Sequence, residues 1–204
     1  MQKKKDALRT PAASRPGLSI EVIVETACEL IAESGADQLT MRRLSERLGV
    51  ALGATYHYVP NRDGLLKLVA ERIMTTIELL STTPKSWQPT LRTLMIDFAA
   101  AFTRYPGMAR YHLANVEATG PVNTQATIMQ MLADAGFSTD SSLTLIAALF
   151  FYTSGVTATG IMTHDQPGLT TSMVAQRFEA GLDLLLEGAA AQLRADKKAR
   201  RAEA

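Results

Sequence analysis

Residues 40–62 read TMRRLSERLGVALGATYHYVPNR. Met41, Leu44 and Leu48 fall at i, i+3 and i+7 and make one apolar stripe on a short helix. Gly49 then supplies the left-handed conformation that ends it, so a second helix beginning near Ala51 must leave at a steep angle. That second stretch, roughly 51–58, lacks the Lys and Glu that fill an ordinary solvated face. It carries Leu52, Gly53, Ala54, Tyr56, His57 and Tyr58 instead. Two short helices across a Gly-Val turn are what a helix-turn-helix needs to lay its second helix in the major groove of DNA.

Residue chemistry assigns the contacts. Leu52, Gly53 and Ala54 are small or apolar, which lets the backbone approach base edges and thymine methyls. Tyr56, His57 and Tyr58 can donate to phosphate oxygens and fix register, although one tyrosine is also expected to pack against helix one, the helix over 19–34. Thr40 is the N-cap of the first helix, and Arg42 and Arg43 fall in its first turn, where positive charge opposes the helix dipole. The placement makes sense once a phosphate joins the free amides and the guanidinium forks; solvated surface arginines are the alternative. Asn61 caps a longer helix that carries Arg62 and Asp63 in its first turn and Lys67 one turn further on.

Upstream, Ser19 caps a helix over 19–34 in which Ile20, Ile23, Val24, Ala27, Leu30 and Ile31 repeat with the helical period until Gly35. The single cysteine, Cys28, falls on that apolar face and reads as a small buried hydrophobe. The start, MQKKKDALRTPAASRPG, is basic and lacks an apolar run long enough for a signal peptide, so it reads as a flexible arm of a cytoplasmic protein. Downstream, Leu91, Leu94, Met95, Phe98, Ala101, Phe102 and Tyr105 form an apolar stripe that stops at Pro106-Gly107. Further helices are expected over 107–118, 123–135, 139–163 and 170–194.

Composition sets the class. An apolar fraction of 47% with 8 prolines in 204 residues fits a globular, mostly helical protein with a sizeable core. Charge is unevenly placed: residues 1–75 hold eleven Lys and Arg against nine Asp and Glu, 76–193 hold five against nine, and 194–204 hold five against two. A basic end on an acidic body suits a protein that presents one end to phosphate. Residues 141–163 carry no charge, but Thr144, Thr153, Ser154, Thr157 and Thr159 interrupt the apolar run and no Lys or Arg cluster flanks it. That pattern argues for the centre of a dimer rather than a membrane span. The three histidines, His57, His112 and His164, form no nucleophile-base pair or metal-ligand spacing, and no Gly-rich phosphate loop is present, so catalysis is not expected.

The run from Thr40 to Leu66 resembles the DNA-binding domain of the tetracycline-repressor-like (TetR) transcriptional regulators. It matches that pattern at Thr40, Leu48, Gly49, Val50, Gly53, Tyr56, Tyr58, Asn61 and Asp63, and departs at Ala51, Val59 and Arg62, where Ser, Phe and Lys are common. The tracts MLADAGFSTDSSLTLIAALFFYTSG and RFEAGLDLLLEGAAAQL look like the last two helices of the tetracycline-repressor branch. The resemblance implies an all-α chain: a flexible arm (1–17), a three-helix helix-turn-helix domain (18–64), a helical ligand-binding and dimerisation domain (65–194) and a charged tail (195–204). It implies a ligand-responsive regulator, expected to be a repressor, that binds a palindromic double-stranded DNA operator as a homodimer through a four-helix bundle. A small-molecule effector would release it; a constitutive DNA-binding or interaction module is the alternative.

The same resemblance implies a core pocket, with Phe98, Phe102, Met108, Tyr111, His112, Asn115, Met129, Leu132, Phe150 and Thr153 as its candidates. Such a surface suits a largely apolar ligand with a few polar contacts. In the tetracycline-repressor branch a histidine and a nearby acidic residue help hold a metal-drug complex. His112, with His164 or Asp165, would occupy those places here, an incomplete set, and no metal or cofactor is expected.

Overall fold

The computed structural model describes residues 17–77, 86–115, 122–162 and 167–202. The first helix, α1 (Ile20–Ser34), starts where the Ser19 hydroxyl accepts the Val22 amide and ends at Gly35, whose φ of 83° turns the chain. A 3-10 turn (Ala36–Gln38) leads to α2 (Met41–Leu48), capped by the Thr40 side chain on the Arg43 amide and closed by Gly49 in the left-handed region, φ 68° and ψ 33°. After α3 (Leu52–Tyr56) comes α4 (Arg62–Thr76), where the Asn61 side chain accepts the Gly64 amide. The remaining helices are α5 (Trp87–Thr103), α6 (Met108–Ala114), α7 (Val122–Ala135), α8 (Thr139–Ala158) and α9 (Thr171–Ala202).

The expected apolar stripes become the core. Ile23, Ala27 and Ile31 of α1 are buried with Leu44 of α2 and Leu65, Val69 and Ile73 of α4, and Cys28 lies among them. Burial, with the Glu25 carboxylate nearby, pushes the Cys28 thiol up to about 11, so it stays protonated and inert at neutral pH. Most of the uncharged stretch lies in α8, which packs on α5, α6, α7 and α9. By length and composition alone it could cross a membrane; here it is the central helix of the C-terminal half.

Several ends differ from those expected. The second helix of the helix-turn-helix stops at Tyr56, because buried Val59 and then Pro60 pull the chain out of helical geometry. The expected helix over 139–163 stops at Ala158, where the Thr159 hydroxyl donates back to the Val156 carbonyl (2.7 Å) and Gly160 takes φ 71°. Through the expected charged tail α9 continues as far as Ala202, over ADKKARRA, a run without Gly or Pro. Its Lys197 Nζ donates to the Ala135 carbonyl (2.7 Å), which caps α7 at the Gly136 turn. The expected domain boundary at 64–65 falls inside α4. The basic arm up to residue 16, His164 and Asp165 lie outside the described residues.

Candidate DNA interface and core site

The angle between α2 and α3 is held by a buried pair of hydroxyls. Ser45 Oγ and Thr55 Oγ1 lie 3.1 Å apart, and each also reaches a backbone carbonyl of its own helix, Met41 and Leu52. Both side chains are buried, so this polar contact fixes one face of α3 against α2. The other face is left outward: Leu52 and Tyr56 are among the large apolar side chains exposed to solvent. A Cβ built on Gly53 meets nothing within 4 Å, so the start of α3 is open to close approach. Ala54 is half-buried, His57 is exposed, and Lys67 stands exposed on α4.

The arginines divide. Arg42 is exposed and, among the described residues, pairs with Glu46 one turn along, Nε to Oε1 2.8 Å. Arg43 turns inward, with one Nη donating to both Ser34 Oγ (3.1 Å) and the Gln38 carbonyl (2.8 Å). Arg62 donates from Nε to the Leu39 carbonyl (2.8 Å) and from Nη2 to the Ala36 carbonyl (2.7 Å). Arg43 and Arg62, expected from sequence to meet phosphate, brace the chain before α2 through these bonds. Tyr58 is the tyrosine tied to helix one: its hydroxyl donates to the Leu18 carbonyl (2.8 Å). The outward set is Thr40, Arg42, Leu52, Gly53, Tyr56, His57 and Lys67. Sequence reading missed Arg47, which grips Glu33 of α1 with both Nη atoms at 2.9 and 2.6 Å. Its fourteen-residue separation from Glu33 leaves no local signal.

In the C-terminal half, α5, α6 and α8 bring four rings together. Phe98 and Phe102 lie 4.5 Å apart, His112 lies 5.1 Å from Phe102, and Phe150 stands edge-on to Phe98 and His112 at 6.1 and 5.8 Å. His112 is 2% exposed, and burial lowers its pKa to about 4, so the imidazole is neutral at physiological pH. Met108 and Leu132 are fully buried and Met129 is half-buried. Thr153 is buried on α8 beside Ser154, and neither hydroxyl has a hydrogen-bond partner among the described residues. Asn115 Nδ2 donates to the Tyr111 carbonyl (2.9 Å).

Tyr111, a candidate for the pocket, reaches the helix-turn-helix half with its hydroxyl, which donates to the Asp63 carbonyl at the start of α4 (3.1 Å). Arg110 pairs with Asp37 at 2.8 Å, and the Ala36 amide donates to the Pro106 carbonyl just before α6 (2.8 Å). Gly107 adopts φ 87° there, and a Cβ on it would come within 3.1 Å of the Ala36 side chain. Thus α6 carries His112 toward the ring cluster and Arg110 and Tyr111 toward the helix-turn-helix.

A helical chain with a braced helix-turn-helix at one end and a bundle of further helices packed on it has the architecture of DNA-binding transcriptional regulators. The model of the family "Bacterial regulatory proteins, tetR family" matches residues 23–69. Tetracycline repressor protein class C of Escherichia coli is 29% identical over 182 residues, 84% of this chain and 83% of that protein. The class D repressor is 31% identical over 140 residues, 68% of this chain and 64% of its own length. A TetR variant from Acinetobacter baumannii AYE, solved in complex with minocycline, superposes with a TM-score of 0.74 at 26% identity, covering 86% of this chain and 98% of that one. The helix-turn-helix region is thus that of the TetR family of transcriptional regulators, and the chain as a whole is similar in sequence and fold to members of that family.

Proposed function

We propose that this protein is a cytoplasmic, homodimeric repressor that binds a palindromic operator and is released by a small molecule held in the C-terminal core. The observation that carries the reading is the division of α3, whose Thr55 face is locked on α2 while Leu52, Gly53 and Tyr56 face outward. A short, charge-poor helix held rigidly with its apolar and aromatic side chains in water costs solvation unless a groove covers it. Arg42, Thr40, His57 and Lys67 flank it with donors suited to phosphate.

Ligand control is supported by α6. A molecule that displaces His112 would shift the helix whose other face holds Asp37 and the first turn of α4 through Arg110 and Tyr111. The relatives named as tetracycline repressors, and the A. baumannii protein that holds minocycline, support repression and a small-molecule effector.

The test is selection of bound fragments from random double-stranded DNA, followed by titration of the best fragment at several salt concentrations with and without candidate effectors. An enriched inverted repeat, a steep salt slope and effector-dependent release are expected. Operator binding that no effector changes would leave a constitutive DNA-binding module.

A further inference from the structure

The buried hydroxyls of α8 are not alike. Ser142 donates to the Ser138 carbonyl and Thr157 to the carbonyls of Thr153 and Ser154, so the helix backbone satisfies both. Thr153 and Ser154 are each 0% exposed, and their hydroxyls make no hydrogen bond among the described residues. An unbonded hydroxyl in an apolar interior is unfavourable, and natural cores retain few of them. These two follow Phe150 by three and four residues, so they lie one turn along the side of α8 that carries Phe150.

Phe150 is the loose member of the ring cluster. Phe98, Phe102 and His112 are buried and tilted together, whereas Phe150 is half-buried and touches Phe98 and His112 edge-on. Rotation of this edge-held ring would open an aromatic-walled slot, a shape that favours a flat aromatic guest. Charge is absent: among the described residues no Asp, Glu, Lys or Arg is buried, and His112 is neutral. An ionised guest there would lose its hydration with no described counter-charge to replace it.

We infer that the effector is an uncharged, planar aromatic molecule whose ring enters beside Phe98, His112 and Phe150 while its neutral oxygen atoms accept hydrogen bonds from Thr153 and Ser154. This rests on the proposed ligand control and narrows it to a chemical class distinct from a metal-chelated drug.

Calorimetry on the full chain tests it with three probes: 1-hydroxyanthraquinone, anthraquinone-2-sulfonate and the magnesium–tetracycline chelate. The neutral anthraquinone is expected to bind at least about tenfold tighter than either charged probe. Thr153→Val and Ser154→Ala are each expected to weaken it about three- to tenfold while the free protein melts at the same or a higher temperature, since each removes an unbonded buried hydroxyl. A purely structural hydroxyl would lower the melting temperature and leave binding alone. No binding of the neutral probe, equal or tighter binding of a charged one, or unchanged affinity in both variants would overturn the inference. Operator release is read in the same titrations: a probe that binds as expected without releasing the operator refutes ligand control and leaves the ligand class standing.

Discussion

Arg42 and Arg62 each sit in the first turn of a helix, and their surroundings give them different tasks. Arg42 has an 83% exposed side chain whose pair with Glu46 is solvent-screened and readily exchanged for a phosphate. Arg62 spends two donors on the carbonyls of Leu39 and Ala36. Replacing Arg42 by Ala should lower the salt slope of operator binding by roughly one contact and leave stability nearly unchanged. Replacing Arg62 by Ala should cost about 1–3 kcal/mol in urea unfolding and leave the salt slope of the folded protein intact. Anisotropy titrations at four salt concentrations check the first pair of outcomes; equal slope losses would return Arg62 to the phosphate contacts. Sequence alone could place both residues beside the turn, because caps and spacing are local. It could not assign their partners, since Arg62 meets carbonyls 23 and 26 residues away. His112 has a pH signature. Its folded pKa of about 4 lies below the ordinary 6.5, so between those values the unfolded chain takes up a proton that the folded chain refuses. Its stability contribution is complete above pH 6.5 and is lost as pH falls toward 4. The His112→Leu variant lacks this loss, and unfolding at pH 7.5, 6.0 and 4.5 should show it gaining on wild type by up to about 3 kcal/mol at the acid end. A constant difference across that range would mean that His112 is not held neutral.

At the scale of helices, starts were more legible than ends. Ser19, Thr40 and Asn61 each cap the helix that their position predicts, because an N-cap is a bond between residues three apart. Ends depended on tertiary contacts: α9 outruns the expected stop at 194, and its Lys197 lies on α7. The α8–α9 contact was also unreadable. Tyr152 stacks on Phe178 with ring centroids 5.7 Å apart, and its hydroxyl donates to the carbonyls of Arg177 and Phe178. A Cβ added at Gly181 would collide with that hydroxyl and its ring carbon. Gly181→Ala, which in an ordinary helix interior would stabilise by up to about 1 kcal/mol, is therefore expected to destabilise by about 1–3 kcal/mol. Adding Tyr152→Phe removes the colliding oxygen and should recover part of the loss, so that the double variant is more stable than the sum of the singles. Strict additivity in urea unfolding would show that the glycine makes room for something other than Tyr152.

For the whole molecule, the decisive feature is an apolar surface that one chain leaves uncovered. On α8 the exposed stripe includes Thr144, Phe151 and Gly155, with Phe151 63% exposed. On α9 it includes Ala180, Leu184, Gly188 and Ala191, with Leu184 72% exposed. Small residues around one large apolar side chain on each helix form a surface onto which two further helices can close, and in the proposed homodimer a second copy of α8 and α9 would supply them by two-fold symmetry. Because Leu184 faces water in the single chain, Leu184→Glu should change the stability of an isolated subunit by no more than about 0.5 kcal/mol. In a dimer the same change buries a carboxylate against an apolar partner, and sedimentation at micromolar concentration should find the 22.1 kDa chain where wild type sediments at twice that mass. Operator affinity should then fall by more than about tenfold, since two recognition helices on separate chains no longer share one binding event. A Leu184→Glu protein with unchanged mass and operator affinity would require the two subunits to meet through another face, and α8 and α9 would have to be covered by something else.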